Sequence, residues 1–155
     1  MTRIRRFILL LAIAFSLGGF TFYAGVVVPI GSSVFDSTAQ GFVTRRVTNV
    51  FNLASGVTWL LLLWEAFATR HRTKRGGNWL RFSMLAIYLG CLMGLLVLHP
   101  KMDALLDESQ FLVLDAKRFY NLHRVYLWTS TIQWLASLAL VWCMCTANSD
   151  HAKPN

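Results

Sequence analysis

The sequence predicts an all-α polytopic membrane protein, a bundle of four transmembrane helices, and three observations carry that prediction. Of the 155 residues, 55% are hydrophobic and only 14% charged. The mean hydropathy of +0.49 is too high for a soluble domain of this size. Four apolar runs, Phe7 to Val28, Val47 to Ala68, Leu80 to Leu98 and Val125 to Cys145, are each long enough to cross roughly 30 Å of hydrocarbon as a helix. None alternates as a barrel strand would, and a single apolar run in lipid satisfies its own backbone only as a helix. One transmembrane domain, residues 1–147, and a short polar tail, 148–155, account for the chain.

The elements follow in order. Ala12-Ile13-Ala14 has the small-x-small form of a signal-peptide cleavage site, but the first run continues well past it to Val28, so a retained first span is expected. Ser37-Thr38-Ala39-Gln40 fits a capping box and predicts a long second helix from about Thr38 to Phe67, with Arg45 and Arg46 at headgroup level. The third run holds Gly90-x-x-x-Gly94, a spacing that permits close backbone approach, and Gly56 offers the same on helix two. Met102, Leu105 and Leu106 have helical spacing and Phe111 to Leu114 form an apolar patch, so the connection between helices three and four is expected to lie on the membrane surface. Asp115 is placed to cap helix four, although Lys117 and Arg118 in its first turn oppose the helix dipole.

The net charge of +8 is topological in its placement and does not indicate nucleic acid. Arg3, Arg5 and Arg6 precede the first run, and Arg70, Arg72, Lys74, Arg75 and Arg81 surround the connection between the second and third. The other two connections carry Asp36 and then Asp103, Asp107, Glu108 and Asp115. The positive-inside rule then puts both termini and the middle connection in the cytoplasm, in a multi-pass protein of a cytoplasmic (inner) membrane. Trp64, Trp79 and Trp142 would form the inner aromatic belt, and Tyr120, Tyr126 and Trp128 the outer one. The bilayer is the first partner; membrane-protein partners and a second copy of the chain both remain open. Cys91, Cys143 and Cys145 read as small core-filling residues, since Cys143-x-Cys145 lacks the spacing of redox motifs.

Polar residues mark the faces expected to pack. Helix four carries His123, Tyr126, Ser130, Gln133 and Ser137 on one stripe. Helix two offers Asn49, Asn52, Gly56 and Trp59 on the same rhythm, with Ser55 and Thr58 beside it, and helix three offers Ala86, Gly90 and Gly94. The halves also resemble one another. Pro29 to Asn52 has the spacing of Pro100 to His123, with basic pairs between at Arg45-Arg46 and Lys117-Arg118. Two readings stand: duplicated helical hairpins, with Asn52 and His123 as counterparts facing one site, or chance similarity of apolar helices.

His99 and His123 are the candidate chemistry, one at each end of the polar connection between helices three and four. Two imidazoles across a flat apolar slot would hold b-type haem. His99, Asp103, Asp107 and His123 would suit a divalent metal, although Pro100 makes the helical register of His99 with Asp103 doubtful. His123, Tyr126, Arg124 and Asn52 would line a pocket for a quinone or lipid headgroup at the outer face. Interfacial hydrogen bonding is the plain alternative for both histidines, with Ser130 and Gln133 as supporting interhelical groups. Glu65, the one carboxylate within an apolar run, is expected to pair with Arg70 or Arg81 at the inner interface more than to relay protons. His71 and His151 lie among polar loop and tail residues. No phosphate-binding glycine loop, nucleophile elbow or His-Glu-x-x-His motif occurs.

Gly25-Val26-Val27-Val28-Pro29, then Phe35, the stretch GFVTRRVTNVF from Gly41 to Phe51, and Phe119-Tyr120-Asn121-Leu122-His123 opening the last helix form a pattern that resembles the four-helix branch, of unknown function, of the CopD-like membrane proteins. The resemblance covers about residues 7 to 145. It implies a four-span bundle within a superfamily that includes copper-import proteins and haem-dependent porphyrinogen oxidases of the HemJ type. Those relatives use a histidine early in helix one, and this chain has none between Met1 and Val47. His123 alone matches a position of the family pattern, and Tyr126 stands where the family has serine. The expectation is a small integral membrane protein without catalytic activity of its own, transport-related or complex-associated, its cofactor left open. The runner-up is a haem-binding oxidoreductase or electron carrier using His123 and His99.

Overall fold

The computed structural model describes residues 3–35, 37–72, 75–107 and 112–149. The expectations placed on Asp36, Lys74, Glu108, Phe111 and His151, and on the side chains of Ser37 and Thr38, lie outside what it describes. Four long helices make up the chain: α1, Arg3–Val34; α2, Ser37–Thr69; α3, Arg75–Asp103; and α4, Ala116–Ser149. All four are long and apolar enough to cross a membrane. At about 1.5 Å per residue their ends project beyond the roughly 30 Å hydrocarbon layer. Only 22% to 28% of each helix's most apolar window is buried within the protein, so most of its apolar surface is left for lipid.

Helix α2 follows the long reading of its sequence, and α4 begins where Asp115 predicts. The Asp115 carboxylate accepts from the Arg118 backbone N–H at 3.0 Å, satisfying one donor of the first turn. Gln40 also reaches beyond its own helix. It is buried against α1, and its Nε2 donates to Tyr23 Oη and Thr44 Oγ1. The amide takes the space beside Gly31, where a side chain would collide with it.

Pro100 does not end α3, which continues to Asp103. Beyond it the connection is an antiparallel ribbon, β1, Leu106–Asp107, and β2, Leu112–Val113, pairing Leu106 with Val113 and Asp107 with Leu112. The helical spacing of Met102, Leu105 and Leu106 is therefore not a helix beyond Asp103.

Helices α3 and α4 form the most extensive pair, α2 packs on α3, and α1 on α2. The apolar core, Leu9, Leu62, Ala66, Leu85, Tyr88, Ala136 and Leu140, draws on all four helices and sits toward the end bearing the two termini. Toward the other end, Phe15, Phe20 and Tyr23 of α1 surround Phe51 of α2 with ring centroids 5.9 to 6.4 Å apart. Helix α1 widens into π-helical turns at Ala14–Gly18 and Tyr23–Val27.

Several packing expectations are corrected. The inner seam of α3 is Arg81, Leu85, Tyr88, Leu92, Leu95 and His99, a line of large side chains. Ala86 and Gly90 lie on the opposite, exposed face, and open space surrounds the position a Cβ would take at Gly90. Gly94 meets Thr129, and Gly56 meets Leu92, at ordinary contact distance. Asn49 is exposed, so the α2 stripe runs through Asn52, Thr58 and Glu65 instead. Trp64, Trp79, Trp142, Tyr120 and Trp128 all face outward as a belt requires, whereas Tyr126 is buried. Of the cysteines only Cys143 is buried, and Cys145 faces outward.

Candidate functional site

The end of the bundle bearing the α1–α2 and α3–α4 connections gathers most of the predicted polar residues. Because α3 remains helical through Pro100, His99 and Asp103 are one turn apart on the same face, His99 Nε2 lying 3.5 Å from Asp103 Oδ2. Asp103 Oδ1 is in turn 2.6 Å from Arg45 Nε of α2. His99 is buried, and its ring faces that of Tyr126 on α4, centroid to centroid 6.4 Å. Asn52 Nδ2 of α2 donates to Tyr126 Oη at 3.2 Å, and Thr48 lies beside the same hydroxyl. Arg45, Asp103, His99, Tyr126 and Asn52 thus form one chain of contacts linking α2, α3 and α4. His99 Nε2 makes no hydrogen bond among the described residues.

Other predicted residues lie elsewhere at this end. His123 is half-buried and stacks on Phe119 of its own helix, with ring planes 7° apart and centroids 5.9 Å apart. Arg124 is exposed and donates to Asn121. Asn52 meets Tyr126. Asp107 lies on β1. Among the described residues no three His, Cys, Asp or Glu side chains are grouped to hold a metal ion.

Neither histidine lines the mid-span cavity or the groove between α1 and α4, and the His99 ring lies against Tyr126.

At the terminal end of the bundle, Glu65 lies 3.1 Å from Arg5 of α1. Arg81 of α3, also buried, is within electrostatic reach of Glu65 and donates to Thr69 Oγ1 at 2.9 Å. Arg70, the other partner anticipated, is exposed.

Between these ends, near the midpoint of the spans, is a cavity of about 40 Å³ bounded by all four helices. Ser16, Ser55, Thr58, Tyr88, Gln133 and Ser137 supply much of its polar lining. Thr58 Oγ1 lies within hydrogen-bond reach of the Ala12 and Ala54 carbonyls and, at 2.7 Å, of Ser16 Oγ, where either hydroxyl can donate. Tyr88 donates to the Ser55 carbonyl, Ser130 to that of Tyr126, and Ser137 to that of Gln133. Gln133 is 8% exposed, yet its Nε2 has no hydrogen-bond partner among the described residues.

Ile13, Leu17 and Trp134 are shared with a second space, a groove of about 700 Å³ between α1 and α4, open to the bilayer side. Trp134 Nε1 crosses this seam to Thr21 Oγ1 at 2.9 Å. The helix-four stripe thus exposed Ser130 and Gln133 to sequence reasoning, while Ser16 and Tyr88 escaped it. Their only signal was that Ser16 interrupts an otherwise apolar stretch and Tyr88 carries a polar atom to mid-span.

No protein-family model, no curated protein and no solved structure matches the chain.

Proposed function

We propose that this is a small integral membrane protein of a cytoplasmic membrane, without catalytic activity of its own, working as a transport-related or complex-associated component. The observation that carries the reading is how the acidic groups within the helices are engaged: Glu65 faces Arg5, and Asp103 faces Arg45. Each carboxylate joins two helices, and Glu65, the one within an apolar run, is used to hold the bundle together rather than presented to a substrate. Kinship with the four-helix branch of the CopD-like proteins is part of the proposal, supported by the Gly25–Pro29 and Phe119–His123 stretches. The orientation, both termini cytoplasmic, is supported by the placement of Arg3, Arg5, Arg6, Arg70 and Arg75.

The test is an oxidised and dithionite-reduced absorption spectrum, with elemental analysis, on protein purified in mild detergent from a haem-replete host. It is paired with sizing of the same sample beside material cross-linked in its native membrane. A colourless sample, with the chain recovered in a discrete larger assembly after cross-linking, is the expected result. Stoichiometric haem with sharp reduced bands, lost in His99→Ala and in His123→Ala, would replace the reading with a redox carrier.

A further inference from the structure

The α1–α4 seam differs from the other neighbouring pairs. No segment of α1 makes an extensive contact with α4, and the Trp134–Thr21 hydrogen bond spans the seam. The groove there has walls of Ala14, Gly18, Gly25, Val26 and Leu138. Its volume lies in the range of small-molecule sites. Both π-helical turns of α1, Ala14–Gly18 and Tyr23–Val27, contribute to it. Such turns cost regular hydrogen bonding and occur often at functional sites.

At its inner side this apolar groove meets the polar cavity through Ile13, Leu17 and Trp134. The hydroxyl protons of Tyr88, Ser130 and Ser137 are directed to protein carbonyls, and Ser16 and Thr58 share a hydrogen bond. Gln133 Nε2 is a buried donor there with no acceptor among the described residues. An unmade hydrogen bond in this setting is costly, and a hydrogen-bond acceptor in the cavity removes the cost. No charged side chain lines either space, so a charged head is excluded by its desolvation. The mid-span position likewise disfavours molecules whose polar heads stay at the membrane surface.

We propose that the groove and cavity together bind an uncharged, bilayer-dissolved molecule with a carbonyl head and an apolar body. It enters laterally between α1 and α4, and its carbonyl oxygen accepts from Gln133 Nε2. Isoprenoid quinones and diacylglycerols share that chemistry, and the experiment separates them. This inference is independent of whether the chain also has protein partners.

The test is photo-labelling of the purified full chain in nanodiscs, with labelled peptides mapped by mass spectrometry. The probes are a photoreactive short-chain ubiquinone, a photoreactive diacylglycerol and a photoreactive alkane with no carbonyl. The expected result is saturable labelling of α1 around residues 13–26 and of α4 around residues 134–138 by at least one carbonyl probe, while the alkane labels all lipid-facing surfaces without saturation. The probe that saturates identifies the source. Gln133→Leu should weaken saturation about tenfold, the loss of one hydrogen bond in hydrocarbon. Gly18→Leu provides a second variant should Gln133→Leu misfold. It fills the groove at a position where a Cβ meets nothing within 4 Å, and it should lower carbonyl-probe labelling while alkane labelling of the other helices is unchanged. Carbonyl probes that behave like the alkane, or saturation indifferent to both substitutions, would overturn the proposal and leave the groove as a surface for bulk lipid.

Discussion

Glu65 of α2, 4% exposed, lies with its Oε2 3.1 Å from Nε of Arg5 on α1, and the two groups are joined by charge rather than by a well-aligned hydrogen bond. Arg81 of α3 stands behind the same carboxylate. One acid therefore balances two cations drawn from separate helices. Its removal should cost far more than the removal of either cation.

Glu65→Ala leaves Arg5 and the buried Arg81 without a counter-charge and should destabilise the bundle by about 3 kcal/mol, the scale of a broken buried pair. Arg5→Ala retains Arg81 beside Glu65, and Arg5 is partly exposed, so about 1 kcal/mol is expected. Reversible unfolding in mixed detergent would measure both. Equal losses for the two variants would show that Arg81 does not share the charge.

Tyr126→Phe deletes the acceptor of Asn52 Nδ2 and leaves a buried amide unpaired on α2. Interhelical hydrogen bonds in membranes average about 0.6 kcal/mol and reach about 1.7. The value here should fall near the upper figure, because Tyr126 Oη serves Asn52 and also faces Thr48. A double-mutant cycle with Asn52→Leu isolates the pair, and a coupling near zero would reduce the contact to proximity.

What the sequence made legible was local or periodic. Asp115 announces the start of α4 because its capping bond spans three residues, and the inward stripe Tyr126, Ser130, Gln133 is read from helical spacing alone. Partner choice was hidden. Nothing near Glu65 in sequence indicates Arg5, since that pairing depends on which helix lies beside α2. Pro100 misled because a helix near its end loses little when one N–H is missing, so His99 and Asp103 stay in register. Gly90-x-x-x-Gly94 misled because the seam of α3 is taken by Leu85, Tyr88, Leu92 and Leu95, which turns Gly90 outward. The mid-span cavity is lined in part by the π-helical turn Ala14–Gly18 of α1, which no hydrophobic period reveals.

Gly31→Ala tests whether Gln40 holds α1 to α2 by occupying the glycine's vacant space. The added methyl gains up to about 1 kcal/mol of helix propensity but must displace the buried Gln40 amide, an overpacking cost of about 1 to 3 kcal/mol. The net change should be destabilising by about 1 kcal/mol. In a Gln40→Ala background, where the methyl has room, the same Gly31 substitution should become neutral or stabilising. Thermal melts of the four proteins would decide it, and an unchanged penalty in the Gln40→Ala background would contradict the packing.

Arg45 and Asp103 close the opposite end of the bundle, Nε to Oδ1 2.6 Å. Both side chains are about a quarter exposed, 26% and 25%, so water screens the pair and its coupling should be about 1 kcal/mol, larger at low salt than at high. Asp103→Asn keeps the shape of the site while removing the charge that faces Arg45 and lies beside His99. Its effect should therefore exceed that of Arg45→Gln, which leaves His99 beside an intact carboxylate. Stability measured at two ionic strengths for the two single variants and the double variant checks both the magnitude and its electrostatic origin. A salt-independent loss would assign the contribution to packing at the α2–α3 contact instead of to charge.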